Sequence, residues 1–294
     1  KIVHTDSMCF SDSQAIRFAG LQSHYLDIDK KNLNPTKESY LEFSDQNSIV
    51  LGVHGYGYLR DFSSCNSENF IEDAALVFPE RGNAVGSYGI ASFLSFGSGK
   101  PFELGGGSVV ATDDKAFYLE MKRVFSSLNR SHLIVVEDLS KKHTSMYNRG
   151  ELKRFNDVLT KRSNEFLARS SFINDSSVFD YSRTREKKLI AQEKLINLVS
   201  QFNDLELLEP YSEHDFPWRF SFLCRKKSIR SNMLYKGIEE GLAISSWHPA
   251  LSSYIEGTKS GENLNSNEIG ERIINVDFSV DIKHFEDFLW RFKS

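Results

Sequence analysis

Short apolar segments of strand length alternate with amphipathic segments over the first 130 residues of the chain. The pattern over 13–20 predicts a short helix that Gly20 ends, and residues 34–38 predict a turn that enters a second helix. Apolar segments predict strands over residues 1–3, 24–29, 48–54, 70–73, 90–96 and 108–112. Strands separated by helical spacers indicate an α/β fold with a mostly parallel sheet and helices on both of its faces. In such sheets functional groups gather at the strand ends.

The second half of the chain has a different pattern. Residues 187–196, 231–240 and 281–292 have the periodicity of amphipathic helices, and residues 219–225 and 243–247 read as strands. We therefore predict two domains. The first is a large α/β domain over residues 1–170, and the second, over 171–294, is a helical connection followed by a small α+β domain. The chain begins with Lys1 inside a predicted strand, so we expect the large domain to lack its N-terminal part.

Composition narrows the class of protein. A chain of 294 residues with 40% hydrophobic and 26% charged residues is typical of a soluble globular protein. Its net charge of −4 gives no electrostatic reason to expect nucleic acid as a partner, and no apolar segment approaches the roughly 18–20 residues of a membrane span. Cys9, Cys65 and Cys224 have no metal-ligand spacing, so we expect reduced thiols, no metal site and a cytoplasmic location.

One lysine, Lys100, lies in a loop of small residues over 95–100. A tightly turned loop of this kind lets a lysine amine reach the aldehyde of pyridoxal 5'-phosphate (PLP), and a buried carboxylate must then face the pyridine nitrogen to keep the ring protonated. Asp73 ends an apolar segment and is the candidate carboxylate. Ser95 and Ser98 are candidates for holding a phosphate. Together these residues predict a PLP site.

Simpler explanations compete with each candidate. An isolated lysine is most often a surface residue, and Asp73 is also consistent with a carboxylate that caps a strand end. His54 lies in an apolar segment, where a core histidine is more common than a catalytic one. Trp247 and His248 either contact a substrate or form a packed tryptophan and a turn. The glycines at 105–107 fit a nucleotide phosphate loop poorly, because an apolar strand rather than a helix follows them.

The order of short motifs resembles that of the DegT/StrS family of PLP-dependent sugar aminotransferases. The resemblance covers nearly the whole chain and includes the order of the motifs. The residues that carry it are similar to the family's "VHLYG" at 53–57, "IEDAA" at 71–75, "SFxxxK" at 95–100, "GGAIVTND" at 106–114 and "VDIDPDTLN" at 25–34. The spacing of Asp73 and Lys100 is the spacing of that family. Each motif alone is a weak match, but their order makes the resemblance specific.

The resemblance implies a fold-type-I PLP-dependent transferase with a mostly parallel sheet of the seven-stranded type. It implies that Lys100 is the Schiff-base lysine and proton carrier, that Asp73 partners the pyridinium nitrogen and that Ser95 is a phosphate ligand. Ala75 falls where the family packs a small residue against the cofactor ring. The implied reaction moves an amino group from an amino acid, glutamate, to a nucleotide-linked keto-sugar for polysaccharide or antibiotic-sugar biosynthesis. The implied assembly is a homodimer.

Several positions depart from the family pattern. Cys9 occupies the cofactor-binding position where the family stacks an aromatic ring, and an extended chain there would turn Phe10 to the other side. Leu76 replaces the His or Gln that follows "EDAA". The family's Asn motif, which reaches the partner subunit's cofactor, has no convincing counterpart. Its Gly-Thr phosphate loop is expected to precede Lys1.

Three hypotheses about function follow. The first is amino transfer with Lys100 as the proton carrier. The second is another PLP reaction, such as sugar dehydration, but relatives of that kind replace the lysine with histidine. The third is a catalytically impaired homologue that binds or scaffolds, which Cys9 and the absent phosphate loop favour.

Overall fold

Two β-sheets organise the chain, one in each half of the sequence. The structure is a computed structural model, and it describes residues 1–43, 47–65, 68–80, 82–97, 99–101, 107–127, 181–253 and 263–293. The predicted domain boundary at residue 170 and the candidate Ser98 lie outside these described residues.

The larger sheet has six strands in the described part of the chain. They are β1 Ile2–Thr5, β2 Ser23–Leu26, β3 Ile49–Val53, β4 Phe70–Asp73, β5 Ala91–Ser95 and β6 Ser108–Ala111, in the order β2-β1-β3-β4-β5-β6. The first five strands are parallel, and β6 runs antiparallel to β5. Parallel pairing places the carboxyl ends of β1, β3, β4 and β5 at one edge of the sheet.

Helices cover both faces of this sheet, as predicted. They are α1 Phe10–Phe18 and α2 Lys37–Glu42, and a third helix, α3 Lys115–Ser127, follows β6. Successive residues of a strand point to opposite faces, so neighbours in β1 and β3 enter different cores. Ile2 and Leu51 pack with Phe10 and Ile16 of α1, in one cluster. Val3 and Val50 lie in another cluster, which holds Tyr40 of α2.

The smaller sheet is antiparallel. Its strands are β7 Leu205–Leu207, β8 Phe220–Cys224, β9 Ile244–Ser245 and β10 Ile273–Val276, in the order β7-β8-β10-β9. The accompanying helices are α4 Tyr181–Val199, α5 Lys227–Glu239, α6 Leu264–Arg272 and α7 Ile282–Trp290. Phe222 of β8 packs with Phe285 and Phe288 of α7 in a core that excludes water from all three rings. The Asp281 carboxylate accepts the His284 N–H at 2.7 Å and caps α7.

Two aspartates that follow strands of the large sheet accept hydrogen bonds from residues before and after 254–262. The buried Asp6 carboxylate, just after β1, accepts the N–H and the hydroxyl of Ser252, each at 2.6 Å. It also accepts the Asn263 side-chain amide at 2.9 Å. Asp27, just after β2, accepts the N–H of Ser266 at 2.8 Å and so caps α6. These bonds hold the second half of the chain against the carboxyl ends of β1 and β2.

A second junction between the halves forms at the turn that follows β3. Phe216 donates its N–H to the Gly57 carbonyl at 3.0 Å, and Trp218 donates its N–H to the Tyr56 carbonyl at 3.3 Å. Gly57 has a φ of +90°, and a Cβ there would overlap the Phe216 carbonyl oxygen. Only glycine therefore allows the two segments to pair this closely. The pairing brings Trp218 to the edge where the parallel strands end.

Most predicted elements have an observed counterpart, with shifted ends. Helix α1 begins at Phe10 rather than at 13, because the extended segment after β1 ends at Cys9. Gly20, with a φ of +69°, lies just beyond α1 in the left-handed conformation that ends a helix. Strands β7 and β10 and helix α6 were not predicted, because their apolar segments are too short to show a period.

The three cysteines are free thiols. Among the described helices, none combines the length and the hydropathy that crossing a membrane requires.

Candidate active site

A cavity of about 440 Å³ opens where the parallel strands of the large sheet end. Its wall includes His54 just after β3, Asp73 at the end of β4 and Ser95 at the end of β5. All seven of the described residues that the sequence predicted for the site line this one cavity. They are Cys9, Asp73, Ala75, Ser95, Lys100, Trp247 and His248. The structure therefore brings together residues that are far apart in sequence.

Asp73 is buried and lines the cavity, and a hydrogen bond holds one oxygen of its carboxylate in place. Its Oδ1 accepts the N–H of Ala75 at 2.8 Å, which orients the carboxylate at the end of β4. Burial raises the pKa of Asp73, while the Ala75 N–H and the charge of Lys100 act in the opposite direction. The carboxylate thus has a low-polarity surrounding and a nearby cation, a combination typical of functional carboxylates.

Lys100 enters the cavity from the loop that follows β5. Gly99 has a φ of +75°, which a glycine adopts without strain, and the Lys100 N–H donates to the Gly97 carbonyl at 3.2 Å. This tight turn, predicted from the small residues of the loop, directs the half-buried lysine to the same cavity as Asp73.

A fully bonded pair of side chains lies behind Asp73. The His54 Nδ1 accepts the Arg60 N–H at 3.0 Å, so the proton of the neutral ring is on Nε2. That Nε2–H donates to Glu72 Oε1 at 3.0 Å, and Glu72 Oε2 accepts the N–H groups of Gly86 at 2.9 Å and Tyr88 at 3.3 Å. Because both ring nitrogens are engaged, His54 is a core histidine that supports the end of β4 and leaves no nitrogen for catalysis.

Aromatic side chains from the second half of the chain form the opposite wall. Trp218 stacks on His248, with ring centres 5.5 Å apart and an angle of 15° between the planes. Tyr56 meets both rings edge-on, and its hydroxyl oxygen accepts the His248 N–H at 2.7 Å. Burial lowers the pKa of His248 to about 3, so its ring is neutral near pH 7. Its Nδ1 is buried and has no hydrogen-bond partner in the described part of the protein.

Two residues at the start of α1 face the cavity, Cys9 at its N-cap and Asp12 in its first turn. Cys9 is exposed to the cavity, yet the surrounding protein raises the pKa of its thiol by desolvation. Phe10 turns away and is buried against Trp247, with ring centres 5.6 Å apart. Phe10 thus points away from the cavity, but it does so as the first residue of a helix and not in the extended segment on which the expectation depended.

Sequence reasoning missed Asp12 and Trp218. Asp12 precedes the helix predicted over 13–20, and it lies in the first turn of α1 because that helix begins at Phe10. Trp218 carries no motif, and its position depends on the pairing of its segment with Tyr56. No local signal in the sequence reports either fact.

The lining fits a flat, anionic cofactor such as PLP. It offers a lysine amine, a buried carboxylate for a ring nitrogen, small or apolar contacts from Ala75 and Val53, and the unpartnered His248 Nδ1. Hydroxyl groups suited to a phosphate come from Ser7, Ser11, Ser95 and Ser108. The volume lies within the range of roughly 300–1,000 Å³ that is typical of small-molecule sites.

The fold is that of fold-type-I aminotransferases, as comparison with solved structures shows. The chain is similar to the sugar aminotransferase CalS13 from Micromonospora echinospora, with a TM-score of 0.69 and 14% identity over 98% of this chain and 79% of that one. It is similar to DesI, solved in the presence of its TDP-sugar product, with a TM-score of 0.69 and 14% identity over 98% and 73% of the two chains. A third similar structure is NtdA from Bacillus subtilis with bound PMP, with a TM-score of 0.64 and 15% identity over 99% and 66%.

The sequence identifies the family. Residues 1–157 match the DegT/DnrJ/EryC1/StrS aminotransferase family, and the chain belongs to that family. The protein is therefore a PLP-dependent aminotransferase, which confirms the predicted fold, cofactor and class of enzyme. No curated protein sequence matches the chain.

The bonded pair behind Asp73 yields a test of stability. Glu72→Ala is expected to lower the free energy of unfolding by about 3–5 kcal/mol, because it leaves the His54 ring and two backbone N–H groups buried without an acceptor. Glu72→Gln keeps the size and one acceptor oxygen, and should cost about 1–3 kcal/mol. The measurement is urea unfolding at neutral pH.

Glu186→Ala is the matched control for this series, since Glu186 is exposed on α4, and it should stay within about 0.5 kcal/mol of the unmodified protein. Equal losses for Glu72→Ala and Glu186→Ala would contradict a supporting role for the pair.

Proposed function

We propose that the protein transfers an amino group from an amino acid, glutamate, to the keto group of a nucleotide-linked sugar. The observation that carries this proposal is the presence of Lys100 and Asp73 in one cavity at the carboxyl ends of the parallel strands. The pair matches the family motifs residue by residue. Bound in this cavity, the cofactor supplies an electron-withdrawing pyridinium ring.

Lys100 has two roles in this proposal. Its Nζ would hold the cofactor at its aldehyde group, and the same amine, when free, would move a proton to and from the substrate. Both roles require that the loop hold Nζ close to the cofactor. The hydrogen bond from the Lys100 N–H to the Gly97 carbonyl makes this turn rigid.

Asp73 would hold the proton on the ring nitrogen of the cofactor. The Ala75 N–H orients its carboxylate, and burial would strengthen the attraction of that carboxylate to a pyridinium charge. Ala75 leaves room for the flat ring beside that carboxylate, and Ser95 offers its hydroxyl to the phosphate.

The aromatic wall suits a sugar acceptor. Trp218 and Trp247 present apolar faces on which the C–H side of a sugar ring packs, and the neutral His248 accepts or donates a hydrogen bond to a hydroxyl. A nucleotide-linked substrate is consistent with the TDP-sugar product named for the similar DesI. Relatives that catalyse a sugar dehydration have a histidine in place of this lysine, so Lys100 favours amino transfer.

A homodimer is part of the proposal. Among the described residues that line the cavity, Lys100 is the one cation, and it is engaged in chemistry. A second copy related by a two-fold axis would add positive or N–H groups to those that the described wall offers a phosphate, as the family resemblance implies. A partner of this kind also places the cavity at a subunit interface.

Lys100→Ala is expected to abolish the visible absorption band that the protein acquires with PLP, because no other amine on the described cavity wall replaces Nζ. The half-reaction with glutamate should slow by a factor of about 10²–10⁴, the usual contribution of a positioned proton-transfer group. Lys187→Ala, on the exposed side of α4, is the control and should keep both. A Lys100→Ala protein that retains the band and the rate would show that another residue forms the bond.

Asp73→Asn should still bind the cofactor but slow the glutamate half-reaction by about 10²–10³-fold, because the amide cannot hold the ring nitrogen protonated. The measurement is single-turnover absorbance at saturating glutamate. Asp113→Asn, an exposed change of the same chemistry, should leave the rate unchanged. A near-normal rate in Asp73→Asn would mean that the carboxylate does not face the ring nitrogen.

Sedimentation velocity at micromolar concentration tests the assembly, and a dimer is expected. A monomer that binds PLP and reacts with glutamate would show that each chain builds a complete site, and would end the dimer proposal.

A further inference from the structure

Two carboxylates and one lysine share the cavity. Asp12 faces it from the first turn of α1, Asp73 from the end of β4 and Lys100 from the loop after β5. Within the described residues, neither carboxylate is ion-paired with Lys100. Two negative charges and a single positive charge on the same wall leave one negative charge of the cavity uncompensated. The protein lowers that cost if one of the two carboxylates holds a proton.

The hydrogen bonds differ between the two carboxylates. Asp73 accepts the Ala75 N–H at 2.8 Å, which favours its charged form. The Asp12 carboxylate accepts no side-chain or backbone hydrogen bond from another residue in the part of the chain that the structure describes. The carboxylate that accepts fewer hydrogen bonds is the one that takes the proton. This difference between the two carboxylates assigns the proton to Asp12.

We propose that Asp12 remains protonated beside the ionised Asp73, and that this proton lets the anionic phosphate of the cofactor enter the cavity. The protonation adds one solvent proton to the Asp12 carboxylate and involves no other change of bonding. Protonated, the cavity holds one negative and one positive charge, from Asp73 and Lys100. Ionised, Asp12 would make the cavity net negative and repel the phosphate. The inference rests on the proposed cofactor cavity.

The groups around Asp12 agree with this assignment. Burial and the charge of Asp73 raise the pKa of Asp12 well above its usual value, and the charge of Lys100 opposes them. On its own helix, Cys9 has a raised pKa and stays a neutral thiol near pH 7. From the opposite wall His248 is neutral, because burial lowers its pKa to about 3. Behind Asp73, His54 is neutral and bonded to Glu72. None of these groups offers Asp12 a further positive charge.

An independent feature indicates that a polar ligand belongs here. His248 is 8% exposed, lines the same cavity and has a buried Nδ1 without a hydrogen-bond partner in the described protein. A buried polar atom of this kind is costly unless a ligand or water completes it. The His248 Nδ1 on the wall opposite α1 therefore requires a polar partner. The charge state of Asp12 decides whether that partner can be an anion.

The test compares PLP with pyridoxal, which has the same ring and aldehyde but no phosphate. Binding to the full chain is followed by quenching of the fluorescence of Trp218 and Trp247, which line the cavity. The ratio of the two affinities reports what the phosphate contributes to binding, and the difference in this ratio between the unmodified protein and Asp12→Asn isolates the part that depends on the Asp12 charge. The second pKa of the phosphate is about 6, so the phosphate is mostly doubly charged above pH 7.

In the unmodified protein the preference for PLP over pyridoxal should fall by about tenfold over the pH range in which Asp12 loses its proton, a range that the pH series itself locates. Asp12→Asn cannot ionise, so it should lack this fall. Asp12→Glu should restore the fall. The exposed Asp113→Asn should behave like the unmodified protein.

A constant preference in the unmodified protein, or an equal fall in Asp12→Asn, would overturn the role of Asp12 while leaving the cofactor cavity in place. A chain that binds neither ligand would overturn the proposed cavity, and this inference with it. If Asp12→Asn does not fold, infrared spectra of the unmodified protein decide the question. A protonated-carboxyl C=O band that is present at about pH 7 and disappears as the pH is raised supports the inference, and its absence at about pH 7 overturns it.

Discussion

Parallel pairing of β1, β3, β4 and β5 is the constraint on which the site depends. Strands that run in one direction must all turn at the same edge, so the segments that follow them converge on one space. Asp73 and Ser95 reach the cavity because they end adjacent strands, and Lys100 reaches it because its loop leaves β5 there. A change in strand order would separate these groups without changing any motif.

The polar groups buried beside that edge differ in how many of their hydrogen bonds are made within the protein. This difference distinguishes a structural carboxylate from a functional one. Glu72 and His54 complete each other's hydrogen bonds, with the remaining acceptor capacity filled by backbone N–H groups. Asp73, the next residue along β4, points to the other face and has one fixed contact, from Ala75. The alternation of a strand thus places a structural carboxylate and a functional one side by side in sequence, on opposite sides of the sheet.

The second half of the chain completes the cavity through a few close contacts. Gly57 lets the segment that carries Trp218 pair with the turn after β3, and the Tyr56 hydroxyl holds the His248 backbone. The Asp6 carboxylate accepts the Ser252 N–H and so fixes the segment that follows His248. The aromatic wall is therefore built on the large sheet itself, and its distance from Lys100 follows from these bonds.

Much of this protein was determined by its sequence. The apolar segments predicted the parallel strands, the small residues at 95–100 predicted the tight lysine turn, and the order of motifs indicated the aminotransferase family that the comparisons confirm. These features are local, because period, turn chemistry and motif spacing act over a few residues. The tertiary structure alone decided that Asp12 and Trp218 face the cavity and that His54 is fully bonded. Each of those facts depends on contacts between segments distant in sequence, which no local pattern records.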